Sequence, residues 1–593
     1  MKMINKIFKY TMAGCLAISC FAACKKSDSF LDKRQTESLT EQLVFADSVK
    51  TLNFLNDLYA YTGMDLIHNR YTLITTPTGN DYAAMEDMTS HSVSYYSDPQ
   101  ASFITGASTS RNYFSNNYYK TYYTKIRAAN QYLKKVGGTP LSAALQQRTR
   151  AEARYLRAWY YAQLVRYYGG VMLVGDTVYS DLAAPIQYKR NSYKECIDYI
   201  VAECDKAAAD LPSATAQLPA DYGRITSGIC LALKARMLVT AASPLYNGQA
   251  ITTDAGLQPL ICYTPTYDAA LWQKAAAACK AVMDLNVYDL YENNSPESRP
   301  GYGFWKMFLL RKNSEYIMPY MLGNNTNLEG AWFPKSRGGS GWSNPSQNLV
   351  DAFGMKNGKS TSDPASGYDA RFPYNNRDPR FYNTVIYNQA LVYNNSTKKM
   401  DPVDIYKTWQ GTLTGDGLQA YSTKTGYYSR KMSNDSTGSY TSQSRVYPVI
   451  RYAEILLGYA EAINETGGPT AEVYDIVKRI RRRAGIDPGA DNSYGLAAGL
   501  SQVEMRRIIR SEYEVEFAYE GHWYYDTRRW KTAETTENMP IQGMMVTKTQ
   551  DNSWSYQRIT ALNAVFLYPK MYFCPLPYDE VNKSSLLLQN PGW

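Results

Sequence analysis

The chain has 593 residues, 63 of them basic and 54 acidic, and a net charge of +9. That surplus is small and no long basic run accompanies it, which argues against nucleic acid as a partner. Only three histidines are present, so a histidine-rich metal site is excluded as a working hypothesis.

The start of the chain reads as an export signal. Lys2, Lys6 and Lys9 form a basic region, and residues 11–23 form an apolar one. The apolar run is shorter than the roughly 20 residues of a bilayer span, which is the layout of a cleaved signal. Cys24 follows the full apolar run and Ala22-Ala23, and is the expected lipidation site; Cys20 is the alternative. The several acyl chains of a bacterial lipoprotein would hold it firmly to a membrane. Removing residues 1–23 leaves 60 basic against 54 acidic side chains. Beyond the signal no stretch approaches the roughly 18 apolar residues of a membrane helix.

Helical periodicity follows on both flanks. The spacing predicts helices over 41–61, 113–136, 143–168, 192–211, 224–242 and 268–283, and again over 450–464, 470–484 and 502–530. In 192–211, Tyr193, Ile197, Ile200, Cys204 and Ala207 trace one face, with Ser192 as cap and Pro212 after the end. Consecutive amphipathic helices with short links predict stacked pairs in the tetratricopeptide style, although the strict repeat signature of that motif is not visible. The middle, 286–445, is rich in Gly, Asn, Ser, Pro and Tyr, and a second irregular stretch covers 69–110. Long irregular runs inside a folded protein point to function, and their tryptophans argue against disorder. The expected layout is mainly α. A signal (1–23) precedes an N-terminal helical part (24–285), a loop-rich ligand lobe (286–445) and a C-terminal helical part (446–593). Residues 24–593 are expected to form one compact unit.

Tyrosine is the compositional outlier, with 54 against 16 Phe and 10 Trp. Most should pack between helices, with the remainder on wet binding surfaces. Cys196, Cys204, Cys230, Cys262, Cys279 and Cys574 contain no C-x-x-C pair, and Cys196 and Cys204 lie more than two helical turns apart. They are expected to be free core thiols.

Two groups of charged residues attract attention. His522 and Asp526 have metal-ligand spacing on a helix, but Arg528 and Arg529 adjoin them, and an ion-pair network holding the C-terminal helices is the better reading. Arg451, Glu454 and Glu461 are expected to pair along one helix face. A glycosidase needs two carboxyls about 5–10 Å apart, a condition that 54 acids meet without specificity. No hydrolase, Walker or Rossmann fingerprint is present, and no catalytic residue is assigned.

Several short motifs then occur in order. They are Ser29-Phe30-Leu31-Asp32, the helix Glu152-Ala153-Arg154-Tyr155-Leu156-Arg157-Ala158-Trp159 with Tyr168-Gly169-Gly170, and Gly223-Arg224-Ile225-Thr226. Arg377-Asp378-Pro379-Arg380, Arg451-Tyr452-Ala453-Glu454 and Arg481-Arg482-Arg483-Ala484-Gly485 follow. Glu520-Gly521-His522-Trp523, Asp526-Thr527-Arg528-Arg529-Trp530 and the terminal Gln589-Asn590-Pro591-Gly592-Trp593 complete the set. Along nearly the whole mature chain this pattern resembles the SusD/RagB family of outer-membrane lipoproteins from Bacteroidetes, with Trp593 in place of a more common Tyr. The resemblance implies a non-catalytic, cofactor-free protein that captures oligosaccharides, or in some members peptides, at the cell surface. It also implies a partner, a SusC-like TonB-dependent β-barrel transporter on which the protein sits as a lid. Helix pairs would face the barrel, and irregular loops would hold the ligand.

Sugar rings lie on aromatic planes while their hydroxyls need amide partners. Trp332, Trp342 and Trp305 lie among Gly, Asn and Ser, and are the expected platform, with Tyr96 and Asn80 as additions from the 69–110 stretch. The alternative for each is that it packs loops onto the helices.

Overall fold

In the computed structural model the described residues are 41–63, 88–94, 102–111, 113–179, 187–295, 299–419, 422–437 and 441–593. The signal, Cys24, Ser29 to Asp32, Asn80 and Tyr96 lie outside them.

Six helices of twelve residues or more lie in the first half of the described chain: α1 (Ser48–Tyr59), α2 (Asn116–Lys135), α3 (Ala143–Tyr168), α4 (Tyr193–Asp210), α5 (Ser227–Ala242) and α6 (Ala269–Met283). Each begins where its sequence supplies an end signal. At α4, Ser192 Oγ accepts from Glu195 N (3.2 Å) while the Glu195 carboxylate accepts from Ser192 N (2.7 Å), a reciprocal cap. At the other end of α3 the chain turns through Gly169, at φ 77°. There Gly170 has no room for a side chain, since a Cβ would stand 2.1 Å from Asn191 O. Four more helices of seven residues or more follow the lobe: α7 (Tyr452–Gly467), α8 (Ala471–Ala484), α9 (Gln502–Glu516) and α10 (Trp523–Arg529).

Each helix from α2 to α6 packs on the next, and α6 packs on α7, which packs on α8 and α9. The helical layer is therefore continuous across the loop-rich lobe, which enters after α6 and returns at α7. The fold is mainly α, built of helical repeats. The predicted helix over 502–530 is two helices. The chain leaves helical geometry at Tyr519 (φ 62°) and Gly521 (φ 74°), both left-handed.

Tyrosine packs this layer: Tyr122, Tyr132, Tyr155, Tyr160, Tyr161 and Tyr168 are fully buried. The six cysteines are free and buried, as the spacing implied. The periodicity reading did not anticipate the long antiparallel hairpin of β6 (Pro540–Lys548) and β7 (Trp554–Asn563). Among the shorter strands before it are β1 (Ser92–Ser94), β2 (Tyr316–Met321), β3 (Ser343–Pro345), β4 (Lys407–Thr408) and β5 (Val446–Arg451). β2 pairs with β5, and β4 runs parallel to β6. In β6, Ile541, Met544 and Val546 are buried, while no residue of β7 is buried.

The lobe and the helices are joined by buried charge. Arg380, Lys431, Arg451, Arg481 and Arg483 meet Asp378, Glu315, Glu512, Glu516 and Glu520, five cations and five carboxylates, all buried and linked pair to pair. The cluster is neutral overall, which is the condition for keeping ions out of water. The expectation that Arg451 pairs with Glu454 along one helix is corrected here. Arg451 reaches Glu315, Glu516 and Glu520, whereas Glu454 binds Arg236 of α5 (2.6 Å) and Glu461 binds Arg529 of α10 (2.8 Å). Arg451 stands at the end of β5, before the helix begins, so its side chain follows the strand and not the helix face.

The chain end is tied into the same body. Asn590 Nδ2 donates to Tyr168 O (3.0 Å) and Cys574 O (2.7 Å), and Trp593 Nε1 donates to Lys570 O (2.8 Å). The closing motif thus staples the C-terminus to the end of α3.

Candidate functional site

β1 and β3 form a short antiparallel ladder, Ser92 opposite Pro345 and Ser94 opposite Ser343. This ladder is the structural link between the two irregular stretches that the sequence set apart. Residues 88–94 are held firmly. Ser90 N donates to Glu537 (2.6 Å), Ser346 N donates to His91 O (2.8 Å), and the Ser346 hydroxyl bonds Ser90 O. The His91 ring stacks on Trp523 at 4.6 Å and its Nε2 lies 3.2 Å from Glu514. Glu537 is buried, and burial pushes its carboxyl up to about 7 against the opposing charges of Arg528 and His91.

The three expected platform tryptophans are not on the surface. Trp332, Trp305 and Trp342 are 2 %, 7 % and 8 % exposed. Trp332 packs on Tyr519 at 5.1 Å, and Trp305 donates to Ser433 O (3.1 Å) under the Arg299 guanidinium. Glycine explains the reversal. A Cβ on Gly339 would stand 2.1 Å from Phe333 O, and one on Gly341 2.7 Å from Ser422 O. The absence of side chains lets the backbone beside Trp332 and Trp342 pack closely on its neighbours. Glycine around a tryptophan here signals close approach, not an open loop. Trp332 and Trp342 belong to the core of the lobe, and an exposed platform made of these three residues is withdrawn.

The lobe exposes a different aromatic. Trp409 is 56 % exposed at the tip of a hairpin closed by Thr408 N to Thr412 O (2.8 Å). Beside the base of this hairpin, Tyr406 and Trp554 pack edge to face at 5.1 Å, with Lys548 Nζ about 6 Å from each ring. The sequence reading passed over Trp409. Gln410-Gly411 directly after it marks only the turn; the ring is exposed because a turn tip has no face of an element to bury it.

The charged C-terminal motif has the structural role expected of it. Arg529 pairs with both Glu461 (2.8 Å) and Asp526 (2.6 Å), Trp530 Nε1 donates to Glu461 (2.6 Å), and His522 stands 3.7 Å from Glu454 and from Asp526. α10 is thereby locked to α7.

A helical-repeat layer with a loop-rich lobe inserted between α6 and α7 is the architecture that the comparisons match. The SusD family model matches residues 290–593, and a second SusD-like model, described as starch-binding associating with outer membrane, matches 29–238. The chain belongs to the SusD/RagB family. Among relatives, it is 33 % identical over 148 residues to SusD-like protein P2 of Formosa agariphila, and the match spans about a quarter of each chain. A SusD-like protein from Bacteroides fragilis has the same fold, with a TM-score of 0.72 at 25 % identity over 93 % of this chain and 98 % of that one. A SusD-like carbohydrate binding protein from the same species gives 0.70 at 23 % identity over 92 % of this chain and 100 % of that one. Surface glycan-binding protein A from Bacteroides fluxus gives 0.58 at 16 % identity over 92 % and 100 %.

Proposed function

We propose that this protein is a lipid-anchored glycan receptor of the outer membrane. It captures oligosaccharides at the cell surface and serves as the lid of a SusC-like TonB-dependent transporter. The observation that carries this reading is the family match across both flanks of the chain. The β1–β3 ladder supports the placement of the ligand at the junction of the two irregular stretches. Asn80 and Tyr96 are proposed as contacts there, with the buried tryptophans beneath as support, and Trp409 as an outlying stacking surface. The signal over 1–23 and the acyl chains on Cys24 supply the anchor.

Exposed apolar residues support a partner. Val565, Leu567, Tyr568, Leu586 and Leu588 are all more than one-third exposed. Tyr568 and Leu588 both adjoin the 251–256 loop, the former by a hydrogen bond to Ile251 O. Permanent complexes bury about 2,000 Å² or more, and such residues are the natural core of that contact.

The test is binding by the mature chain, without its lipid, to a panel of oligosaccharides and peptides. Retained glycan binding without product release is expected, with loss on Tyr96→Ala and Asn80→Ala. Peptide binding in the absence of any glycan binding would move the protein to the peptide-receptor alternative. Turnover abolished by one carboxylate substitution would make it an enzyme. A mild-detergent pull-down with the neighbouring genes expressed should recover a β-barrel transporter; recovery of the protein alone would end the lid model.

A further inference from the structure

A cavity of about 270 Å³ lies between the 352–363 segment of the lobe and the helices α8 and α9. Its volume is near the lower end of small-ligand sites. Its floor is part of the neutral charge cluster. Glu512 gives one oxygen to Arg481 (2.7 Å) and the other to Arg380 (2.8 Å), and both Asp378 oxygens are taken by Arg380. These carboxylates are saturated by their own cations and offer little repulsion to an incoming anion.

Arg481 is different. It is nine-tenths buried. Its Nε serves Glu512, and its Nη1 serves Gly358 O (3.1 Å) and Tyr494 O (2.8 Å). Nη2 makes no hydrogen bond among the described residues, although Arg481 lines the cavity. A guanidinium of this kind is a fixed donor with one nitrogen to spare. Two further cations stand in the wall, half-buried Lys359 and exposed Arg507, and neither has a carboxylate within ion-pair distance among the described residues. Against these three donors stands one carboxylate not held by a cation, Asp363, which accepts from Ala365 N (2.7 Å). Ser360 and Ser511 add hydroxyls, and Ile508, Met355 and Val515 add an apolar wall.

We propose that this cavity binds a sugar acid, a pyranose carrying a carboxylate. The carboxylate meets Arg481 Nη2, Lys359 and Arg507. The ring hydroxyls meet Asp363, Ser360 and Ser511, and the apolar ring face lies on the Ile508 side. The site is separate from the β1–β3 junction and stands without the glycan-capture reading, because its ligand is a single acidic residue measured by itself.

Titration calorimetry of the mature chain with glucuronate, glucose and inorganic sulfate tests this. Glucuronate is expected to bind at least about tenfold more tightly than glucose, the effect of one charge-assisted contact. The K359A/R507A variant is expected to lower glucuronate affinity by about tenfold or more with an unchanged unfolding midpoint, since neither residue is ion-paired. The absence of glucuronate binding overturns the proposal. So does binding that K359A/R507A leaves intact. Sulfate that binds as tightly as glucuronate reduces the cavity to a general anion site and overturns the sugar assignment.

Discussion

Arg451 Nη1 lies 2.7 Å from Glu516 Oε1, in a contact from which water is excluded on both sides: the two side chains are 1 % and 0 % exposed. Arg451 ends the strand that leaves the lobe, and Glu516 ends α9, so this pair closes the seam between the two halves of the architecture. Arg483 and Arg380 converge on the same carboxylate.

Glu516→Gln should therefore be severe. Removing one partner leaves cations buried without compensation, which costs about 3–5 kcal/mol. Denaturant unfolding of the variant should show that loss, together with weakened docking of the lobe, read as early protease cleavage within 286–445. A variant within about 1 kcal/mol of the parent would show that the seam is held by packing instead.

Acid should unfold the protein through the same cluster. Burial opposes ionisation of Glu512, Glu516 and Glu520, but the surrounding cations outweigh it and hold all three below the ordinary value of 4.5. A carboxylate lowered by folding contributes stability above its unfolded pKa and loses it as pH falls through the folded one. Stability measured against pH should drop steeply below about pH 4.5, and Glu516→Gln should flatten that drop.

Glu537 should act with the opposite sign. Its carboxyl is raised to about 7 by burial, so between about 4.5 and 7 the folded state binds a proton that the unfolded state does not. From this group alone, stability rises as pH falls through that window, by on the order of 3 kcal/mol at most. Comparison of the parent with Glu537→Gln by thermal unfolding at pH 8 and pH 5 isolates it. The difference between the two proteins should shift in favour of the parent at pH 5. An unchanged difference would mean that Glu537 is ionised throughout.

Two tryptophans should behave in contrary ways. Trp332→Ala removes a core ring and should cost about 3–5 kcal/mol of stability. Trp409→Ala removes an exposed one and should leave the unfolding midpoint within about 0.5 kcal/mol. If Trp409 stacks on glycan, its loss should weaken binding by about 1–3 kcal/mol, by analogy with aromatic stacking on bases. Unchanged affinity for every bound glycan would remove Trp409 from the ligand surface.

Labelling with a fatty-acid probe should fail for Cys24→Ser and persist for Cys20→Ser. Undiminished labelling of the first variant would move the anchor to Cys20.

Much of this protein was legible from local pattern. The helices over 143–168, 192–211 and 268–283 match their observed bounds within a residue or two, because an amphipathic face and its caps are written in neighbouring residues. The free buried cysteines, the ion-pair role of Arg529 and the ordered family motifs were legible for the same reason. The tertiary structure decided which groups meet across long separations. Arg451 seemed matched to Glu454 three residues away, yet it reaches Glu315 and Glu516, and only the fold sets that choice. Trp332 and Trp342 looked open among glycines, but glycine permits the backbone to close over a ring as readily as it permits a loop to open. Sequence determines that such a segment bends freely. Whether it covers or exposes its aromatic is decided by the surface it lands on, for Trp332 the Tyr519 turn, more than a hundred residues away in the chain.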